Sequence, residues 1–198
     1  MKIDVSNYSK VYLGTDFHDC HDRTFIWEAR GFADCKSQSK ALYKELDEKL
    51  THDSLLVYLG DLTLNSTQAH AKWLLEKMSV GSLMYIDGNH DHRVAKVRQS
   101  KELTGIVWLP KMVELTFIGR SGHKHHTTLC HFPMREWNHM NHGAWHIHGH
   151  IHGGYNEPRH LEDKALDVSY DSCGQFLSEF SEIETIMNNK QVNRLHHG

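Results

Sequence analysis

Short apolar runs in this chain end, one after another, in side chains that bind metals or move protons. Met84-Tyr85-Ile86 leads into Asp87-Gly88-Asn89-His90-Asp91, and Ser54 to Leu59 leads into Gly60-Asp61. Val11 to Thr15 leads into Asp16-Phe17-His18, and Ala144 to His148 into Gly149-His150-Ile151-His152. A short continuous apolar run is the mark of a strand buried on both faces, and a sheet of such strands presents ligand sites off their carboxyl ends. Any one of these endings has a bland reading as a turn, since Gly, Asn and Asp are turn formers. Several in succession, each closing a strand, point to one assembled site.

The segments between the runs set the fold. Ser39 to Leu50 is amphipathic, with Ala41, Leu42, Leu46 and Leu50 on one stripe, and Asn65 or Ser66 is placed to cap a helix through Met78. The core stripe of that second helix is predicted as Ala69, Trp73, Leu74 and Met78. Strand, helix, strand, helix, strand predicts a parallel sheet with right-handed crossovers. After Pro110 the pattern changes to consecutive strands: Met112 to Ile118, a turn over 119–126, Thr127 to Phe132, Ala144 to His148 and Ala165 to Tyr170. A second, mostly antiparallel sheet packed on the first is expected. Ser181-Glu182-Ile183-Glu184 reads as a capping box opening a terminal helix, after which the last residues fray. The length fits a single domain over 1–198.

Composition narrows the function. A net charge of -3 gives no overall electrostatic footprint for nucleic acid. No apolar run approaches the ~20 residues that cross a bilayer, the start at Met1-Lys2-Ile3-Asp4 lacks a signal-peptide core, and the expected location is the cytoplasm, with no membrane partner. Cys20, Cys35, Cys130 and Cys173 have no Cys-x-x-Cys spacing and are expected to be reduced. Histidine is the anomaly, at 19 of 198 residues. It is the commonest metal ligand, although His52, His70 and His160 in polar stretches, and His123, His125 and His126 in the turn, read as solvated. The segment from Asp19 to Lys36, with His21, Arg23, Trp27 and Arg30, reads as a loop lying over a site.

Seven candidate ligands lie at strand ends: Asp16, His18, Asp61, Asn89, His131, His150 and His152. Asp16 and His18 share a face if the backbone there is extended, which brings a carboxylate and an imidazole to one point. Seven are too many for one metal and suit two with a shared carboxylate, for which Asp61 is the central candidate. Imidazole, carboxylate and one amide without thiolate suit manganese, iron, zinc or nickel better than magnesium or calcium, and manganese is the metal expected. Cys130 falls on the other strand face from His131.

Asp16-x-His18, Gly60-Asp61, Gly88-Asn89-His90-Asp91, His131 and Gly149-His150-x-His152 together resemble the motif set of the calcineurin-like metallophosphoesterase superfamily. His21 and the stretch from Cys130 to Trp137 resemble a small bacterial and phage branch of it. The resemblance implies a four-layer αββα sandwich of two mixed sheets. It implies one metal on Asp16, His18, Asp61 and His152, and the other on Asp61, Asn89, His131 and His150. It also implies that His90 binds no metal and acts as general acid toward a leaving oxygen. Many relatives place an acid three residues beyond the bridging Asp to orient that histidine; here the position is Leu64, and Asp91 is the expected substitute.

The leading expectation is a phosphoesterase hydrolysing small mono- or diesters with a metal-bridging hydroxide. His21 and Arg135, on loops beside ligands, are the candidate substrate contacts. The alternatives are a nuclease, for which Trp27, Arg30, Arg93, Arg135 and Trp137 would supply the groove, and a non-catalytic metal-binding scaffold for a partner protein. The acidic balance disfavours the first, and a scaffold is free to lose ligands that are all present here.

Overall fold

The computed structural model describes residues 1–154 and 163–192. Its strands, in chain order, are β1 (Lys2–Asp4), β2 (Val11–Gly14), β3 (Leu55–Tyr58), β4 (Ser82–Tyr85), β5 (Ile106–Trp108), β6 (Met112–Ile118), β7 (Lys124–Cys130), β8 (Trp145–His148), β9 (Ala165–Asp167) and β10 (Ser178–Glu179). They form two five-stranded sheets of order β10-β2-β3-β4-β5 and β1-β6-β7-β8-β9. The first is parallel from β2 to β5, as the alternating strands and helices require, with β10 added antiparallel at its edge. The second is not mostly antiparallel. Only its β6–β7 pair is, closed by the 119–123 turn, whereas β1–β6, β7–β8 and β8–β9 are parallel. The segments before β8 and β9 are long enough to bring the chain back in the same direction, as parallel pairing demands.

Alternation along the strands builds two cores. Leu56 and Tyr58 of β3 face a cluster made with Leu42, Leu46, Leu74, Leu75, Val94 and Val97. These come from α2 (Cys35–Lys49), α3 (Gln68–Met78) and α4 (His92–Ser100), which cover the outer face of the first sheet. Leu55 and Val57 face the other way, into an inter-sheet cluster with Phe117, Leu129, Trp145 and Ile147. The last helix of the described residues, α6 (Phe180–Asn189), inserts Phe180, Ile183 and Met187 into that same cluster. The outer face of the second sheet is covered by the segment after β7, through Trp137 and Met140 packed on Ala165. The result is an α/β sandwich of two mixed sheets. Among the described residues its fourth layer is this segment with one 3₁₀ turn, Met140–His142, rather than an α-helix.

Several local expectations shift. Asp34, in a capping box with Ser37, starts α2 at Cys35, ahead of Ser39. Thr67, not Asn65 or Ser66, caps α3, and the buried stripe is Ala71, Leu74, Leu75 and Met78, a stricter i, i+3, i+4, i+7 pattern. Trp73 is therefore outside, 42% exposed and edge-on to Tyr43. The capping box of α6 pairs Glu179 with Glu182, not Ser181 with Glu184. β9 stops at Asp167, and Tyr170 opens the short α5 (Tyr170–Cys173). His125 is buried rather than solvated, its ring tilted against Trp145 at 4.0 Å between centroids and its Nε2 2.7 Å from Glu184. His70 is also engaged, 2.6 Å from Asp19. His160 and the final residues, 193–198, lie outside the described residues. No helix among the described residues is long and apolar enough to cross a membrane.

Candidate metal centre

All seven candidate ligands come together at the carboxyl ends of β2, β3 and β4 in one sheet and of β7 and β8 in the other. They converge by a route that extended backbone does not predict. Asp16, His18, Asp61, His150 and His152 all have left-handed φ, between 46° and 73°. Non-glycine residues adopt this region rarely and at a cost of about 1–3 kcal/mol each, and such strain clusters at functional sites. β2, β3 and β8 therefore turn sharply at their ends, and the first two of these turns are tied together. Asp16 N–H donates to Gly60 O (2.9 Å) and His18 N–H to Asp61 O (3.1 Å). The buried Tyr58 hydroxyl accepts from Phe17 N–H (3.1 Å) and donates to Asp61 O (3.3 Å).

The motif glycines follow from this crowding. A Cβ at Gly88 would lie 2.2 Å from Asp61 Oδ1, and one at Gly149 would lie 2.2 Å from Asp16 Oδ2. Neither position admits a side chain without displacing a carboxylate.

Two groups of donors result: Asp16, His18 and His152, and Asp61, His131 and His150. In the first, Asp16 Oδ1 lies 3.4 Å from His18 Nε2 and 3.6 Å from His152 Nε2, and the two imidazole nitrogens are 3.1 Å apart. In the second, Asp61 Oδ2 lies 3.4 Å from His131 Nε2, which is 3.0 Å from Asn89 Oδ1. Asp61 Oδ2 is also 3.7 Å from His18 Nε2, so this one oxygen faces both groups.

The residues fit divalent cations. Donors bound to one cation at ~2.0–2.2 Å stand roughly 3–3.5 Å apart, close to these separations. Asp16 is fully buried; its Oδ2 accepts from Thr15 Oγ1 and His150 N–H, while its Oδ1 has no hydrogen-bond partner. Burial alone would raise its pKa, yet the imidazoles of His18, His131 and His152 around it hold it down to about 2, so the orphaned oxygen is anionic. His131 Nδ1–H donates to Leu59 O (2.8 Å) and His152 Nδ1–H to Asp171 Oδ2 (2.8 Å), which leaves both Nε2 lone pairs for a metal.

Arg30 and Asp171 escaped sequence reasoning as parts of this centre. The Arg30 guanidinium, fully buried, donates to Asp171 (2.7 Å), to Asp16 O (2.8 Å) and to Phe17 O (3.1 Å). It therefore braces the Asp16 turn and the carboxylate behind His152, and it is no part of a surface groove. Trp137 is likewise buried, with its Nε1–H on Ala144 O. Two of the five groove candidates are thus structural, while Arg135 is on the exposed surface. Asp171→Ala strands the Arg30 charge and unpins His152. The expected result is a loss of about 3–5 kcal/mol in stability, measured by denaturant unfolding. Metal affinity of the Asp16 group is expected to fall ~10–100-fold in chelator competition, with the Asp61 group less affected.

His90 belongs to neither donor group. Its N–H donates to Asp61 Oδ1 (2.8 Å), and its ring lies edge-on to His18 at 5.7 Å between centroids. Asp91 does not serve it as the expected orienting acid. The buried Asp91 carboxylate accepts the N–H groups of Asp61, Leu62 and Gly88 at 2.8–2.9 Å and so locks two of the strand-end turns together. Burial pushes that carboxyl up to about 6, against the N–H donors that favour its charge. His21 is buried beside the first group, edge-on to His18 at 5.6 Å, and burial, with His18 adding like charge, takes it down to about 4. A third grouping, Asp19, Cys20 and His70, is taken up by internal bonds: Asp19 accepts from Ser39, Tyr43 and His70 and anchors the start of the 19–36 loop.

Fold and site together define an α/β sandwich with paired His/Asp groups able to hold metal. No family model matches the chain. It is similar to the Gene 66 protein of Mycobacterium phage L5, 27% identical over 91% of this chain and 95% of the relative. It is also similar to the uncharacterized protein MJ1445 of Methanocaldococcus jannaschii, 29% identical over 74% of this chain and 71% of the relative. Among solved structures, a protein of unknown function from Aquifex aeolicus, AQ665, shares the fold with a TM-score of 0.63 at 16% identity, over 89% of this chain and 98% of that one.

Proposed function

We propose that the chain is a phosphoesterase of the calcineurin-like type that uses two divalent metals, manganese first among them, to hydrolyse small phosphate esters. The observation that carries the reading is the placement of Asp61 Oδ2 within 3.4 Å of His131 and 3.7 Å of His18, one carboxylate oxygen facing two imidazole groups. Asp16, His18, His152 and Asp61 would hold one cation, and Asp61, Asn89, His131 and His150 the other. Such a pair, when bound, supplies a nucleophilic water of lowered pKa and offsets charge on the phosphoryl group. The chain's own part is to orient the ester and to move a proton. As the phosphorus bonds to the water oxygen and its bond to the leaving oxygen breaks, His90 gives that oxygen a proton. Arg30 and Asp171 keep His152 and the Asp16 turn in place, and Asp91 holds the His90 turn against Asp61.

The test is reconstitution with manganese, followed by assay of 4-nitrophenyl phosphate and bis(4-nitrophenyl) phosphate. Elemental analysis is expected to approach two equivalents, with hydrolysis of at least one ester lost on chelation and restored by metal. Two bound equivalents with neither ester cleaved would favour the scaffold reading.

A further inference from the structure

We propose that the alcohol released from the phosphate carries a planar aromatic ring, as in a nucleoside phosphate, and that Phe25 is the surface on which this ring stacks. The inference rests on the role of His90 given above. A proton donor must stand beside the oxygen it protonates, so the released alcohol lies on the side of the centre where His90 stands. That side is the His18 side, because His18 is edge-on to His90 at 5.7 Å and to His21 at 5.6 Å.

The local chain explains what projects there. His21 N–H donates to His18 O (3.1 Å), which folds the chain back over His18, and the Arg23 N–H on His21 Nδ1 (3.1 Å) fixes the ring with Nε2 as its N–H position. The one-turn helix α1 (Thr24–Trp27) follows, pinned by Ile26, which is 4% exposed. Pinning Ile26 inward turns the preceding side chain outward: Phe25 is 67% exposed, the most exposed large apolar side chain among the described residues. Its one ring neighbour there is His21, at 5.4 Å between centroids with the rings near perpendicular, and the exposure leaves most of the Phe25 ring surface accessible. An open aromatic face beside a phosphate-ester site is what stacks a base, and it does so with little regard to which base. Phe132, also exposed, sits against His150 at 4.6 Å on the opposite donor group and serves as the internal control.

The experiment compares two ligands that share the same sugar and phosphorus and differ in the ring: the 5′-phosphonates of adenosine and of ribose, whose P–C bond resists hydrolysis. Calorimetry on manganese-loaded wild type is expected to show the adenosine compound binding about tenfold or more tightly than the ribose compound. Phe25→Ala should bring the two within about twofold, Phe25→Tyr should keep the preference, and Phe132→Ala should keep it as well. Equal affinities in the wild type, a preference that survives Phe25→Ala, or one lost as fully in Phe132→Ala would overturn the proposal. Because the readout is binding, it is separate from turnover: a ring preference carried by Phe25 in a protein that cleaves no ester keeps this site and removes the hydrolytic reading.

Discussion

Asp61→Ala is expected to lose both metals, not one. Asp61 Oδ2 faces His131 and His18 at once, while Oδ1 accepts the His90 N–H, so truncation takes the oxygen that the two groups would share and frees the turn that presents His90. Loss of an outer hydrogen-bond partner costs metal affinity ~10–100-fold. Loss of a shared ligand should exceed that at both positions, so that chelator competition strips the variant at concentrations leaving the wild type near two equivalents. His150→Ala is the comparison. It belongs to the Asp61 group, so its defect should be concentrated in one equivalent. Circular dichroism of the metal-free proteins separates lost binding from lost fold. Retention of either equivalent by Asp61→Ala at wild-type affinity would remove Asp61 from the bridging position.

The convergence of the candidate ligands was legible because each lies within a few residues of the strand that delivers it, and because the glycines beside them answer to local crowding. Gly88 against Asp61 and Gly149 against Asp16 are contacts that only a missing side chain permits, and they leave a readable trace. The geometry was less legible than the composition. Extended backbone was expected to align Asp16 with His18, whereas both residues are left-handed. What sequence reading missed is long-range. Arg30 and Asp171 are 141 positions apart, and no local period marks either; their pairing exists only once α5 is laid against the 19–36 loop. The same holds for His125, whose turn-like neighbours suggest solvent while Glu184 on the last helix and Trp145 on β8 enclose it. The helix phase of α3 failed for a nearer reason: moving the cap to Thr67 selects Ala71 and Leu75 over Ala69 and Trp73 for the buried stripe.

His90→Ala is expected to keep the metals and lose the chemistry, by an amount set by the leaving group. His90 is in neither donor group, and the bond that anchors its turn is made by its backbone N–H to Asp61 Oδ1, which alanine retains. Metal content near wild type is therefore the first check, and it separates this variant from every ligand substitution. A positioned general acid contributes ~10²–10⁴ in rate, so hydrolysis of an alkyl phosphate, whose alkoxide leaves poorly without a proton, should fall by about that factor. The loss should appear in kcat and kcat/KM together, since proton transfer matters in the transition state and little in ground-state binding. A 4-nitrophenyl ester departs as a stable phenolate and should lose far less. The ratio of the two losses, with chemistry rate-limiting for both, is the diagnostic quantity. Equal losses on both esters would mean that the imidazole binds phosphoryl oxygens and hands no proton to the leaving group. A ring preference carried by Phe25 would then mark a site for a ring-bearing phosphate ligand without assigning that ring to the released alcohol.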